Sequence, residues 1–203
     1  MNVAIVGLGV GGLACHAAKD DRWRFYEIDP AVVSYATDPN WFNYLNRCTP
    51  EAPIIVGDAR LTLQDEPAGA FDVLVIDAFS SDAVPVHLMT REAVQGYFTK
   101  LKPDGVLVMH LTNQYMDLPR IVSALAQTEG LAARFRHHQR TPAEVRQNRF
   151  GTTVMVLARE KAHLQPWMDS AEWSAPPEPD GVEPWTDDYS NILSAILRKQ
   201  GLR

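Results

Sequence analysis

The sequence predicts an α/β domain whose strands form one mostly parallel sheet. Apolar runs and helical patterns alternate over the first half of the chain. The first run, Val3 to Val6, leads directly into Gly7-Leu8-Gly9-Val10-Gly11-Gly12, and the second ends on an acid, Glu27. Strand, glycine turn, helix, strand and acid is the order in which a parallel sheet holds an adenosine. The glycines admit close backbone approach, and the carboxylate can take both ribose hydroxyls.

The elements follow in order. Strands are expected at 2–6, 23–27, 53–56, 71–76 and 105–111. Helices are expected near 11–19, 30–36, 59–64 and 90–101. In the last of these, Val94, Tyr97, Phe98 and Leu101 recur at helical spacing behind Thr90, a suitable N-cap. After a helix near 118–129, two strand-like runs, Ala132–His138 and Thr152–Ala158, follow without a helix between them. Such a pair reads as antiparallel at the sheet's edge. A dehydrogenase domain would instead continue in parallel βα units. The pattern therefore favours a Rossmann-like, S-adenosylmethionine-dependent methyltransferase fold, with a seven-stranded mostly parallel sheet and a terminal antiparallel pair. Residues 1–160 form this nucleoside-binding domain, and 161–203 an extension with a proline-rich connector at 174–184 and a short helix from Ile192.

Composition narrows the classes. The chain has 203 residues, enough for one α/β domain with a full core, and 46% hydrophobic content is ordinary for a globular protein. A net charge of −6 argues against a nucleic-acid surface, which is normally basic, and suits a small cationic substrate. The uncharged opening lacks a basic signal-peptide region, and no apolar run is long enough for a membrane span. Cys15 and Cys48 stand alone, which predicts two thiols in a reducing, cytoplasmic setting and excludes a thiolate zinc site. Cys15 reads as a small buried hydrophobe in the first helix. His137-His138 lacks further ligand spacing, so no metal is expected.

Ligands of open parallel sheets bind at the carboxyl ends of the strands. That rule gathers Gly7 to Gly12, Glu27, Asp58, Asp77 and the segment His110 to Tyr115 into one crevice. Asp58, after Ile54-Ile55-Val56-Gly57, can accept from an adenine amine or cap a helix. Asp77 ends a buried strand, and Asp82 follows in a polar loop. Two carboxylates beside an alkyl donor can hold an amine and take its proton, which an alkylamine with a pKa near 10 must lose before attack. Trp185-Thr186-Asp187-Asp188-Tyr189 mixes aromatics and acids, which suits an ammonium ligand or, equally, a tail anchored by Trp185.

At these residues the chain resembles the spermidine synthase family, polyamine aminopropyltransferases on a methyltransferase-like fold. It is most similar to the spermidine-synthase-like domains fused behind membrane segments in bacteria. The matching stretches are GLGVGG, FYEIDP, VGDAR, FDVLVIDAFSSDAVPVHLMTREA, LKPDGVLVMHLTNQY and PWTDDYSNIL, in family order along the chain. The resemblance implies that Gly7, Gly9 and Gly11 line the cofactor's sulfonium side, Glu27 binds ribose, and Asp58 with Ala59 binds adenine. It implies that Asp77 activates the amine, with Asp82, Asp187, Asp188 and Tyr189 around that amine. The co-substrate would be decarboxylated S-adenosylmethionine or S-adenosylmethionine, the acceptor a polyamine such as putrescine, and the assembly a homodimer.

Two departures qualify what is implied. Val10 stands where the family carries an aspartate facing the aminopropyl ammonium. The chain also begins on its first strand, without the family's amino-terminal β-hairpin domain, which fits fusion to, or association with, a membrane segment. An S-adenosylmethionine-dependent methyltransferase and a non-catalytic polyamine or nucleoside sensor are the alternative readings.

Overall fold

The computed structural model describes residues 1–78 and 85–201. The strands are β1 (Asn2–Val6), β2 (Arg22–Glu27), β3 (Ile54–Val56), β4 (Phe71–Ile76), β5 (Leu101–His110), β6 (Ala132–His138) and β7 (Thr152–Ala158). They form one sheet in the order β3-β2-β1-β4-β5-β7-β6. Pairings from β3 through to β5 are parallel, whereas β7 runs antiparallel to both β5 and β6. The expected seven-stranded sheet with a reversed pair is therefore what forms.

The helices are α1 (Pro30–Thr37), α2 (Tyr44–Cys48), α3 (Ala59–Thr62), α4 (Arg91–Lys100), α5 (Leu118–Thr128), α6 (Pro142–Arg146), α7 (Gln165–Met168) and α8 (Ile192–Lys199). Local chemistry sets their starts. The Asp29 carboxylate accepts from the Ala31 N–H at the head of α1, and the Thr90 hydroxyl accepts from Ala93 at the head of α4. One core unites Val6, Leu74, Leu107, Tyr97, Leu125 and the fully buried Trp185. A second, on the other face of the first strands, joins Val3, Ile5, Phe25 and Leu45. Residues 161–201 add Trp185 and Ala195 to the first core, so Trp185 anchors the tail, the second of its two readings.

Three expectations are corrected. A short helix, α6, lies between β6 and β7 where none was expected; Thr141 and Glu144 cap its start reciprocally. The helix expected near 11–19 is only a 3₁₀ turn, Gly12–His16. Two glycines open it, and the Asp21 carboxylate then accepts from the Ala18 N–H and the terminal amine, turning the chain into β2. The cysteines are not separate thiols: Cys15 and Cys48 form a disulfide, with Cα atoms 4.9 Å apart. Both are exposed, so Cys15 is no buried hydrophobe, and their distance in sequence hid a pairing that folding of α2 onto the 3₁₀ turn creates. The reducing setting inferred from lone thiols loses its premise. Among the described residues, no helix is long and apolar enough to cross a membrane.

Candidate functional site

The carboxyl ends of β1, β2, β3, β4 and β5 open on a cavity of about 580 Å³. Main-chain bonds carry the parallel ladder past the strands: Gly7 N–H donates to Tyr26 O, Asp77 N–H to Val6 O, and Gly57 N–H to Glu27 O. Gly7 sits at φ +98°, and a Cβ there would lie 2.3 Å from the Asp77 carbonyl oxygen. Only glycine lets β1 and β4 converge beneath the cavity. Gly9, at φ +52°, leaves open space where a Cβ would stand.

Glu27 is held on both oxygens. Oε2 accepts from the Leu8 N–H at 2.9 Å and Oε1 from Asp29 at 3.0 Å. The carboxylate thus ties the glycine loop to the end of β2, with lone pairs left for vicinal hydroxyls. Asp58 has a divided role. Its Oδ1 accepts from the Arg60 N–H at the head of α3, and its Oδ2 lies 3.3 Å from His87 Nε2. Asp77 Oδ1 lies 2.6 Å from His110 Nδ1, with both side chains about one-third exposed.

The structure therefore brings Gly7, Gly9, Glu27, Asp58, Ala59 and Asp77 to one cavity. Gly11 is not in its lining; its α-carbon faces Leu45, whose Cγ would lie 2.7 Å from an added Cβ. Asp187 sits outside the lining, where both oxygens meet the Arg60 guanidinium and Oδ1 also accepts from the Thr90 hydroxyl at 2.7 Å. Arg60 holds that carboxyl below its ordinary range. Asp188 is exposed, and Tyr189 lines a separate cavity of about 260 Å³ beside Trp185 and Arg198. Asp82 lies outside the described residues. Val10 is exposed and not part of the lining.

Sequence reasoning passed over Ile28 and His87, and placed His110 and Thr112 at the crevice without a role, yet all four line the cavity. Ile28 is 65% exposed, an apolar surface directly after Glu27, suited to one face of a flat ring. The available signal was position, since each follows a strand end or its facing loop. The open cradle at Gly9, the Glu27 carboxylate and the Ile28 face together fit a nucleoside. Among the described residues no cluster of metal-ligating side chains occurs.

No family model matches the chain. It is 32% identical over 117 residues to an N-terminal histidine N-methyltransferase of Emericella nidulans, covering 54% of this chain and 19% of that protein. It is 30% identical over 111 residues to a polyamine aminopropyltransferase of Vibrio vulnificus, covering 52% of this chain and 36% of that protein. The matches thus span well under half the length of either relative. Among solved structures, a probable spermidine synthase from Corynebacterium glutamicum superposes with a TM-score of 0.64 at 16% identity, over 95% of this chain and 74% of that one. Human methyltransferase-like protein 13, in complex with SAH, gives 0.53 at 19% identity, over 82% and 78% of the two chains. The chain resembles spermidine synthases, and its fold is that of methyltransferase-like transferases.

Proposed function

We propose that the protein transfers an aminopropyl group from decarboxylated S-adenosylmethionine to a polyamine acceptor such as putrescine. The observation that carries this reading is Asp77, which lines the same cavity as Gly9, Glu27 and Asp58. In this reading Glu27 takes the ribose hydroxyls, Asp58 the adenine amine, and Ile28 a purine face. The acceptor nitrogen gives its proton to Asp77 and attacks the carbon next to the sulfonium. The C–N bond forms, the C–S bond breaks, and its electron pair returns to sulfur, releasing methylthioadenosine. Alignment of amine and carbon supplies most of the acceleration, and the carboxylate base about 10²–10⁴-fold. The likeness to a curated aminopropyltransferase supports the choice of donor.

S-adenosylmethionine-dependent methyl transfer is the second reading, supported by the likeness to an N-terminal histidine N-methyltransferase. The protein is incubated with putrescine and either donor, and the products are resolved by mass spectrometry. Methylthioadenosine from the decarboxylated donor supports the proposal. A methylated product from S-adenosylmethionine with no methylthioadenosine replaces it with the second reading. Binding of either donor without turnover would make the domain a nucleoside sensor. In the proposed reaction, Asp77→Asn loses at least 100-fold in kcat while the donor's Kd stays within about threefold.

A further inference from the structure

Asp77, His110, Thr112 and the Thr153 main chain form a chain that steps across three neighbouring strands. In the β4–β5 register Ile76 pairs with Met109, so the next residues, Asp77 and His110, stand side by side. Their Oδ1 and Nδ1 atoms are 2.6 Å apart, and His110 Nε2 is 2.6 Å from Thr112 Oγ1. Thr112 is anchored in turn by β7, since the Thr153 main-chain N–H donates to its Oγ1 at 2.8 Å.

We infer that His110 is a positioning residue for Asp77, its ring orientation held by Thr112 and β7. Two atoms at 2.6 Å need a proton between them, and an ionised carboxylate can only accept. His110 Nδ1–H therefore donates to Asp77. The other ring nitrogen, Nε2, hydrogen-bonds the Thr112 hydroxyl, and that oxygen also accepts from the Thr153 N–H. The ring is thus held on both nitrogens, between the β7 backbone and the carboxylate. The result fixes the Asp77 rotamer and engages Oδ1, leaving Oδ2 to receive the amine proton. This role rests on the reading that an amine is the nucleophile.

The test combines kinetics with ¹⁵N-histidine NMR on the whole protein, the His110 signal being assigned by its loss in His110→Gln. In the wild type, His110 Nδ1 is expected to carry a slowly exchanging proton bonded to Asp77. Thr112→Val removes the hydroxyl at nearly constant volume and should loosen the ring, so that the Nδ1–H signal broadens or is lost by exchange. It should also lower kcat by about 100-fold through misalignment, with the donor's Kd unchanged. Thr112→Ser should recover most of that loss, which a purely structural defect in packing would not allow. A wild-type ring with no proton on Nδ1 overturns the inference, as does wild-type kcat in Thr112→Val. If the wild type alkylates no amine, the proposed function fails and the Nδ1 proton alone decides: its presence sustains the held Asp77–His110 pair, its absence removes it.

Discussion

A single missing methyl group decides how the ends of β1 and β4 meet. Gly7→Ala would place its Cβ 2.3 Å from the Asp77 carbonyl, at a φ of +98° that alanine resists. The strand ends must then part. The expected outcome is a destabilisation of about 2–3 kcal/mol and at least tenfold weaker donor binding, read by thermal melting and calorimetry. Glu27→Gln tests the opposite wall. It exchanges charged for neutral hydrogen bonds and should weaken donor binding about tenfold without changing the fold, as read by calorimetry and circular dichroism. These residues were legible because strand-end position and residue type agreed: an acid or a glycine follows each early strand. His87 and His110 were not, because one histidine after a strand is common and only the spatial partners, Asp58 and Asp77, give each a role. Asp187 shows the reverse. Its type suited an ammonium, but Arg60, which is far away in sequence, claims both oxygens.

That ion pair matters at the scale of elements. Arg60 belongs to α3, directly after Asp58 and Ala59, and Asp187 to the tail that follows the proline-rich connector. The Asp187 N–H donates to Glu92 of α4, and the Arg91 N–H to Trp185 O, so the tail is pinned beside the Asp58 end of the cavity. The Asp187 carboxyl is depressed by Arg60, so its contribution is present above an ordinary aspartate value of 3.8 and is lost as pH falls below it. Proteolysis within 174–184 should therefore accelerate below about pH 3.8, with an acid-active protease, and at neutral pH in Asp187→Ala. An unchanged cleavage rate in that variant would show that Trp185 alone holds the tail. Elements themselves were legible to different degrees. The bounds of β1, β4, β6 and β7 coincide with those expected; continuous apolar runs define the buried β1, β4 and β7, whereas β6 is a half-buried edge strand. The first helix was not legible, since its shortness comes from Asp21 and from contact with α2, neither of which has a local periodicity.

The whole molecule is held by a sheet whose order follows from the alternation of its elements, and by a disulfide that no such alternation reveals. Cys15 and Cys48 are 33 residues apart, and closing a loop of that length contributes about 3–4 kcal/mol in the chain-entropy account. Reduction with dithiothreitol should lower the melting temperature by roughly 10 °C. Cys48→Ser should match the reduced wild type, and an unchanged melt on reduction would show that the crosslink is energetically idle. Disulfides persist in oxidising surroundings, so a cytoplasmic location requires the pair to be reduced there. Differential alkylation of protein taken directly from cells reads which form exists.

The crosslink also divides the cavity. The covalent ring running from Cys15 to Cys48 encloses β2, Glu27, Ile28, Asp29 and α1, while Asp58, Asp77, His87 and His110 lie beyond it. The Glu27 wall thus belongs to a covalently closed ring of chain. Asp58 and Asp77 lie outside that ring and are joined to it through the sheet, where the Gly57 N–H donates to Glu27 O. Oxidation therefore adds a covalent brace to one side of the cavity, and hydrogen bonds and packing hold the other.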